Sequence, residues 1–243
     1  MSDSSVIKRL FVGKAAPLER PGYDAVPSGI VKYPRFGAVF LSLKGLEGDE
    51  QGDKRYHGGP EKALHHYASE HYSSWRAMLP SCPVPLMPGA FGENISTSGM
   101  TEQSVCVGDV YQIGTAVVQV SQGRQPCWKL NRRLAHSNAA LVMQRLNATG
   151  WYYRVLQEGF IEMYSEIELM VRPCPDWPMQ RLISALFPEG AVTPALLEEW
   201  RLAAEIEQLS SNWRNTFARR VSSQQIEDWT SRLYEPQSSP IVF

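Results

Sequence analysis

The pattern of apolar and polar positions divides the chain in two. As far as residue 171 the apolar runs are short and bounded by Gly, Pro, Asn or Asp, which is the pattern of strands rather than long helices. Residues 6–12 predict a strand ending at Gly13, residues 29–33 and 38–43 two more separated by Pro34 and Gly37, and residues 63–67 another. Residues 109–113 and 116–121 read as a hairpin about Gly114 and Thr115, and residues 151–157 and 161–171 as a longer hairpin about Gly159. Two helices interrupt this series. Residues 70–79 place Tyr72, Trp75 and Leu79 on one face and stop at Pro80, and residues 138–146 carry Leu141, Val142 and Leu146 with Ser137 as the N-cap.

After Pro173 the period becomes helical. The breaker cluster at 174–178 is followed by a predicted helix over 178–187. Thr193 with Pro194 supplies an N-cap and a proline in the first turn for a second helix running to about residue 209. Trp213 and Phe217 share a face of a third, and Ser222 with Gln225 makes a capping box for a fourth on which Ile226, Trp229 and Leu233 align. The fold class this implies is mainly β within α+β. Short strands with turns between them favour a barrel or closed sheet over residues 1–175, followed by a small helical module over 176–236. That module can pack on the sheet, form a homodimer or dock a partner; aromatic residues at helical spacing favour packing.

Composition narrows the classes. Of the 243 residues 43% are hydrophobic and 10% aromatic, enough for a substantial core. A formal net charge of −1 gives no basic footprint for stable nucleic-acid binding. No apolar run approaches the roughly 18 residues of a membrane span, and the polar start at residues 1–8 is not a secretory signal. A cytoplasmic protein without a membrane partner is expected. The four cysteines, at 82, 106, 127 and 174, form no CxxC pair, so reduced thiols are expected rather than a disulfide frame or a zinc site.

Three loops could hold chemistry. Residues 121–133 follow an apolar strand and precede a helix. Pro126 fixes the backbone before Cys127, and Arg124, Lys129, Arg132 and Arg133 supply positive charge. Cations favour the thiolate, the form that binds a soft metal or attacks an electrophile. The residues alone leave another reading open, a structural cysteine beside a solvated basic turn. The second loop runs through the glycines and carboxylates of 45–53 to His57, Gly58, Gly59, Lys62, His65 and His66. Were 62–67 a strand, His65 and His66 would point to opposite faces, so one alone could share a site. The third is residues 88–95, with Gly92, Glu93 and Asn94 in a turn. P-loop, GxSxG and paired-carboxylate patterns are absent from the sequence.

Taken in order, the runs GLEGDEQGDKRYHGGPEKALHHY, PGAFGENI and VGDVYQIGTAVVQVSQGRQPCWKLNRR, with the lead-in at 28–32, resemble the MOSC domain, the C-terminal domain type of molybdenum-cofactor sulfurase. The likeness covers roughly residues 5–170 and is to stand-alone bacterial proteins of the YiiM type, whose domain is followed by a three-helix module. The resemblance implies a β-barrel that binds the molybdenum cofactor, a phosphorylated pterin whose dithiolene holds the metal. It places the metal-ligating or sulfur-carrying cysteine on Cys127, the histidine–glycine–glycine segment on His57, Gly58 and Gly59, and further cofactor contacts on Lys62, Asn94 and Arg124. It also implies reduction of N-hydroxylated compounds such as 6-N-hydroxylaminopurine, a base-analogue detoxification. His57 or His65 would serve as proton donor, because an unperturbed imidazole titrates near neutrality. Without a dinucleotide fingerprint or iron–sulfur spacing in the chain, electrons would come from an external flavoprotein. A sulfur carrier working through a Cys127 persulfide, and a cofactor storage protein, are the alternatives.

Overall fold

The computed structural model describes residues 4–53 and 58–236; the expected proton donor His57 lies outside the described residues. The strands are β1 (Ser4–Val6), β2 (Arg9–Val12), β3 (Ala16–Arg20), β4 (Tyr23–Ser28), β5 (Tyr33–Pro34), β6 (Val39–Ser42), β7 (Gly45–Leu46), β8 (Leu64–Ala68), β9 (Ile95–Thr97), β10 (Val110–Ile113), β11 (Ala116–Gly123), β12 (Trp151–Gln157), β13 (Gly159–Ile161) and β14 (Glu166–Val171). Nine of them form one mixed sheet in the order β1-β14-β10-β11-β12-β8-β9-β2-β5, while β13-β6-β7 and β3-β4 make two small sheets.

The class is α+β, but the expected barrel is not closed by hydrogen bonds: β1 and β5 are the outer strands of the large sheet. Even so, β1 and β2 are joined through Ile7 and Lys8 alone. The amide of Ile7 donates to Ser165 O (3.1 Å) and that of Lys8 to Ser96 O (2.9 Å), so consecutive residues bond to opposite ends of the sheet. The sheet therefore curls until its ends meet at the N-terminal strand. This is also why the apolar run at 6–12 is two strands rather than one, since periodicity cannot register a change of partner.

Three further expectations are corrected. Residues 151–171 are not a hairpin: β12 pairs with β11 and β8, β13 with β6, and β14 with β10 and β1. Residues 29–32 are not a strand, because Gly29 lies against the backbone of another loop at Glu50. The capping box at 222–225 is not formed: Ser222 is inside a helix and Gln224 ends it in the left-handed conformation (φ 54).

The helices are α1 (His71–Met78), α2 (Lys129–Leu134), α3 (Ala139–Arg145), α4 (Met179–Leu186), α5 (Pro194–Ala204), α6 (Ser211–Ser223) and α7 (Thr230–Leu233). The Thr193 hydroxyl accepts from the Leu196 amide, as the N-cap reading requires, although α5 stops at Ala204 rather than near 209. Asn138, not Ser137, occupies the cap position of α3. Trp200, Trp213 and Phe217 are fully buried in one core with the sheet residues Val118, Val120 and Tyr153. The helical module is thus part of the main core, the packing that aromatic spacing favoured. A second core gathers Tyr67, Tyr72, Trp75 and Phe91 with Leu130 and Met143 beneath the loops.

Candidate functional site

The loops converge on one cleft, lined by Lys32, Asp49, Lys62, His65, Arg124, Cys127 and Tyr152 among others. One wall comes from the loop that follows β11, with Tyr152 of β12 beside it. The register of β11 with β12 shifts between Val120 and Gln122, an irregularity that re-aims the side chains that follow. The loop then presents Cys127, half-buried, to the cleft before α2 begins. Arg124 is buried with its amide on Gly150 O (3.1 Å) and a guanidinium nitrogen on Phe91 O (2.7 Å), and it lines the cleft. Lys129 lines it too, donating to Pro27 O at 2.8 Å. The other two expected cations do not. Arg132 turns to the carbonyls of Leu18 and Asp24 (both 2.7 Å) and to Glu235, and Arg133 is not in the lining.

The opposite wall is two loops crossing backbone to backbone. A Cβ on Gly29 would stand 2.0 Å from Glu50 O, so this approach requires glycine. It brings Lys32 onto Asp49, a buried ion pair. Asp49 also accepts from the Gly13 amide (2.9 Å) and Asn94 Nδ2 (3.0 Å). Burial lowers the Lys32 pKa although Asp49 pulls it upward. Glu50 is engaged by Lys14 (2.9 Å) and the Ala15 amide (3.1 Å). These bonds pair two of the carboxylates in the lining; the other charged groups there are Asp53, Lys62, Arg124 and Lys129.

Asn94 is in the lining, but its amide acts as a clamp. Oδ1 accepts from the His65 amide (3.0 Å), while Nδ2 donates to Phe11 O (3.3 Å) and to Asp49. Lys62 ends a 3₁₀ turn over Pro60–Lys62 and lines the cleft, with its pKa lowered by burial. Gly58 and Gly59 lie outside the lining. The structure thus brings Cys127, Lys62, His65, Asn94 and Arg124 together.

Strand β8 separates its two histidines. His66 faces the core, its Nδ1 on the Tyr153 hydroxyl (2.9 Å) and its Nε2 on the Thr97 hydroxyl (2.8 Å), with burial holding its pKa down to about 3. His65 lines the cleft, 4.8 Å from the Tyr152 ring, and its buried Nε2 makes no hydrogen bond. Burial, then Arg124 and Lys32, push its pKa well below the usual imidazole value, outweighing the carbonyls of Gly92 and Thr149. The near-neutral titration expected of His65 therefore does not hold; it sits in the cleft as a neutral ring.

Sequence reasoning missed three residues. Tyr152 and Lys32 line the cleft. Tyr152 is the cross-strand partner of His65, a relation hidden until strand pairing is known. The third is Arg232, whose guanidinium donates to Pro126 O; burial lowers its pKa to about 10 while Cys127 and Glu227 pull it upward.

Among the described residues no group of three or more His, Cys, Asp or Glu stands together to hold a metal. A metal here would rest on one thiolate and must bring most of its ligands with it. A soft sulfur donor surrounded by cations fits a metal carried on an anionic, phosphate-bearing ligand. Among the described residues no helix is long and apolar enough to cross a membrane.

Comparison with known proteins places the chain in a family. Residues 53–168 match the MOSC domain and residues 177–224 the YiiM-like, 3-alpha helix domain. The chain is 38% identical over 220 residues to "Protein YiiM" of Escherichia coli K12, covering 87% of this chain and 92% of that protein. It is 41% identical over 164 residues to a Gibberella moniliformis protein named "Reductase", covering 66% of this chain but 29% of that longer one. The crystal structure of YiiM from Escherichia coli superposes with a TM-score of 0.78 at 30% identity, covering 96% of this chain and 99% of that one. YiiM from Geobacillus stearothermophilus gives 0.72 at 30%, covering 89% and 99%.

Proposed function

Because the chain belongs to the YiiM family of MOSC-domain proteins, we propose that it is a cytoplasmic, molybdenum-cofactor-dependent reductase of N-hydroxylated compounds such as 6-N-hydroxylaminopurine, with Cys127 as the metal ligand and a flavoprotein as electron donor. The MOSC domain would span residues 1–175 and the helical module 176–236. The observation that carries this reading is the Cys127 thiol lining one cleft with Arg124, Lys62 and Lys129. The reductase name of the fungal relative supports the reaction class.

When bound, the reduced cofactor would supply the two electrons that cleave the N–O bond, the oxygen leaving as water with two protons. The chain's residues do the rest. Cys127 Sγ would anchor the metal, and Arg124 and Lys62 would balance the phosphate and thiolate charge. Asn94 positions the strand bearing His65 and braces Asp49. His65, neutral, offers one N–H and one lone pair beside Tyr152 and can orient a substrate hydroxyl without adding charge. Lys62, its ammonium made more acidic by burial, is a second source for the protons that reduction consumes.

The test is elemental analysis and mass spectrometry of protein expressed where the cofactor is made. Losing a group that only orients a metal ligand lowers metal affinity by about 10–100-fold, and losing the ligand itself should cost more. The expected result is therefore molybdenum and pterin near one per chain, falling more than about a hundredfold in Cys127→Ser with an unchanged fold. Sulfane sulfur on Cys127 without molybdenum would replace this reading with that of a sulfur carrier.

A further inference from the structure

The C-terminal residues beyond α6 return to the site. Residue Arg232, in α7, grips the cysteine loop from both sides of Cys127. Its guanidinium donates to Pro126 O, and its own carbonyl accepts from the Trp128 amide (2.8 Å). The guanidinium is itself fixed by Gln144 Oε1 (2.6 Å), buried in α3, and lies over the rings of Phe187 (5.2 Å) and Trp229 (5.8 Å). The neighbouring residues repeat the contact: Asn131 Nδ2 donates to Leu233 O (2.8 Å), and Arg132 pairs with Glu235. Arg232 lies beyond both matched family segments, which end at 168 and 224.

A carbonyl and an amide on either side of one residue fix the direction in which its side chain projects. Pro126 restricts the backbone before the thiol, but Trp128 stands at the N-cap of α2 with no side-chain cap bond, and although the Leu130 amide reaches Cys127 O (2.9 Å), the Trp128 amide has no partner within the helix. Arg232 satisfies it from another part of the chain.

We propose that Arg232 is a positioning residue for the cofactor site: by holding Pro126 O and the Trp128 amide together it sets the direction of the Cys127 Sγ, which makes the C-terminal segment a working part of the site. This rests on the reading that Cys127 holds the metal, and its test separates the two claims.

Arg232→Ala, Arg232→Gln and Arg232→Lys are compared with the parent chain in two measurements. The first is molybdenum per chain after expression with the cofactor. A fall of about 10–100-fold is expected for Ala and Gln, with partial retention in Lys and recovery of Ala on adding guanidinium ion, since a cation able to reach Pro126 O restores part of the grip. The second is amide hydrogen exchange of cofactor-free protein. Exchange should quicken in residues 124–133 while the rest of the chain and the melting temperature stay near those of the parent. Should the alanine variant fail to fold, Arg232→Gln and Arg232→Lys decide. Parent-like molybdenum and parent-like exchange in the folded Arg232 variants would overturn the proposal. Cys127→Ser retaining molybdenum would instead sink the metal-ligand reading and leave the exchange result standing.

Discussion

The two faces of strand β8 carry adjacent histidines in opposite circumstances. On the core face His66 is fully buried and both ring nitrogens are hydrogen-bonded to hydroxyls. On the cleft face His65 is nearly as buried, 4% exposed, yet Nε2 has no partner and two cations weigh on the ring. Burial is common to both, so burial does not distinguish the cleft residue from the core one. What differs is the set of partners: two hydroxyls at 2.8 and 2.9 Å hold the His66 ring, while His65 has the Gly92 and Thr149 carbonyls near it, Nε2 makes no close bond, and the ring shares the cleft with a thiol and an arginine. An unsatisfied buried polar group costs about 1–3 kcal/mol, and a fold keeps such a group readily where a ligand can meet it.

The comparison can be broken in order of effect. Arg124→Ala should cost about 10–100-fold in cofactor retention, measured as molybdenum per chain, because it removes both a cation of the cleft and the bond to Phe91 O; unchanged occupancy would take Arg124 out of the site. His65→Gln should lower turnover with N-hydroxylated substrates about tenfold or more while leaving the melting temperature nearly unchanged. An equal loss of stability in His65→Gln and His66→Gln would erase the distinction between the faces.

His66→Gln should do the converse. It removes the hydrogen bonds to Tyr153 and Thr97 and should cost about 1–3 kcal/mol by denaturant unfolding at neutral pH, with turnover per folded molecule retained. Its pH dependence gives a second check. The folded-state pKa, about 3, lies below the unfolded value of 6.5, so the unfolded chain takes up the proton first. The stability that neutral His66 confers is complete above about pH 6.5 and is lost as pH falls toward 3, at about 1.4 kcal/mol per unit. His66→Gln should therefore show a shallower acid limb than the parent. The smallest effects belong to Cys82→Ser and Cys174→Ser, half-buried thiols on the carbonyl of Leu134 and the amide oxygen of Gln208, for which activity and molybdenum content should match the parent.

The legible part of this molecule was its local chemistry. The Thr193–Pro194 helix start, the β10–β11 hairpin and the helical period after residue 176 are set by neighbours in sequence, and they stand where expected. The opposite facing of His65 and His66 followed from the two-residue repeat of a strand. What stayed hidden depends on distant partners. The exchange of partners at Ile7, the failure of residues 151–171 to pair with each other and the contact of Tyr152 with His65 each require knowing which strand lies alongside. Arg132 and Arg124 differ for the same reason: both are arginines near the thiol in sequence, but one meets Glu235 more than a hundred residues away and turns from the cleft. Arg232 carried no sequence signal, since its partners are a backbone carbonyl and a backbone amide.

The N-terminal strand has a consequence for how the chain comes together. Ser4 pairs with Glu168, and Val6 with Glu166, so at least 160 residues of chain separate β1 from its neighbour. Until β1 pairs, one edge of the sheet stays open, and assembly waits on a contact of very long sequence separation, the kind that slows folding and exposes unpaired strands to association. A fusion that tethers or bulks out residues near Ser4 should impede that pairing and lower the yield of folded protein without touching any residue of the cleft.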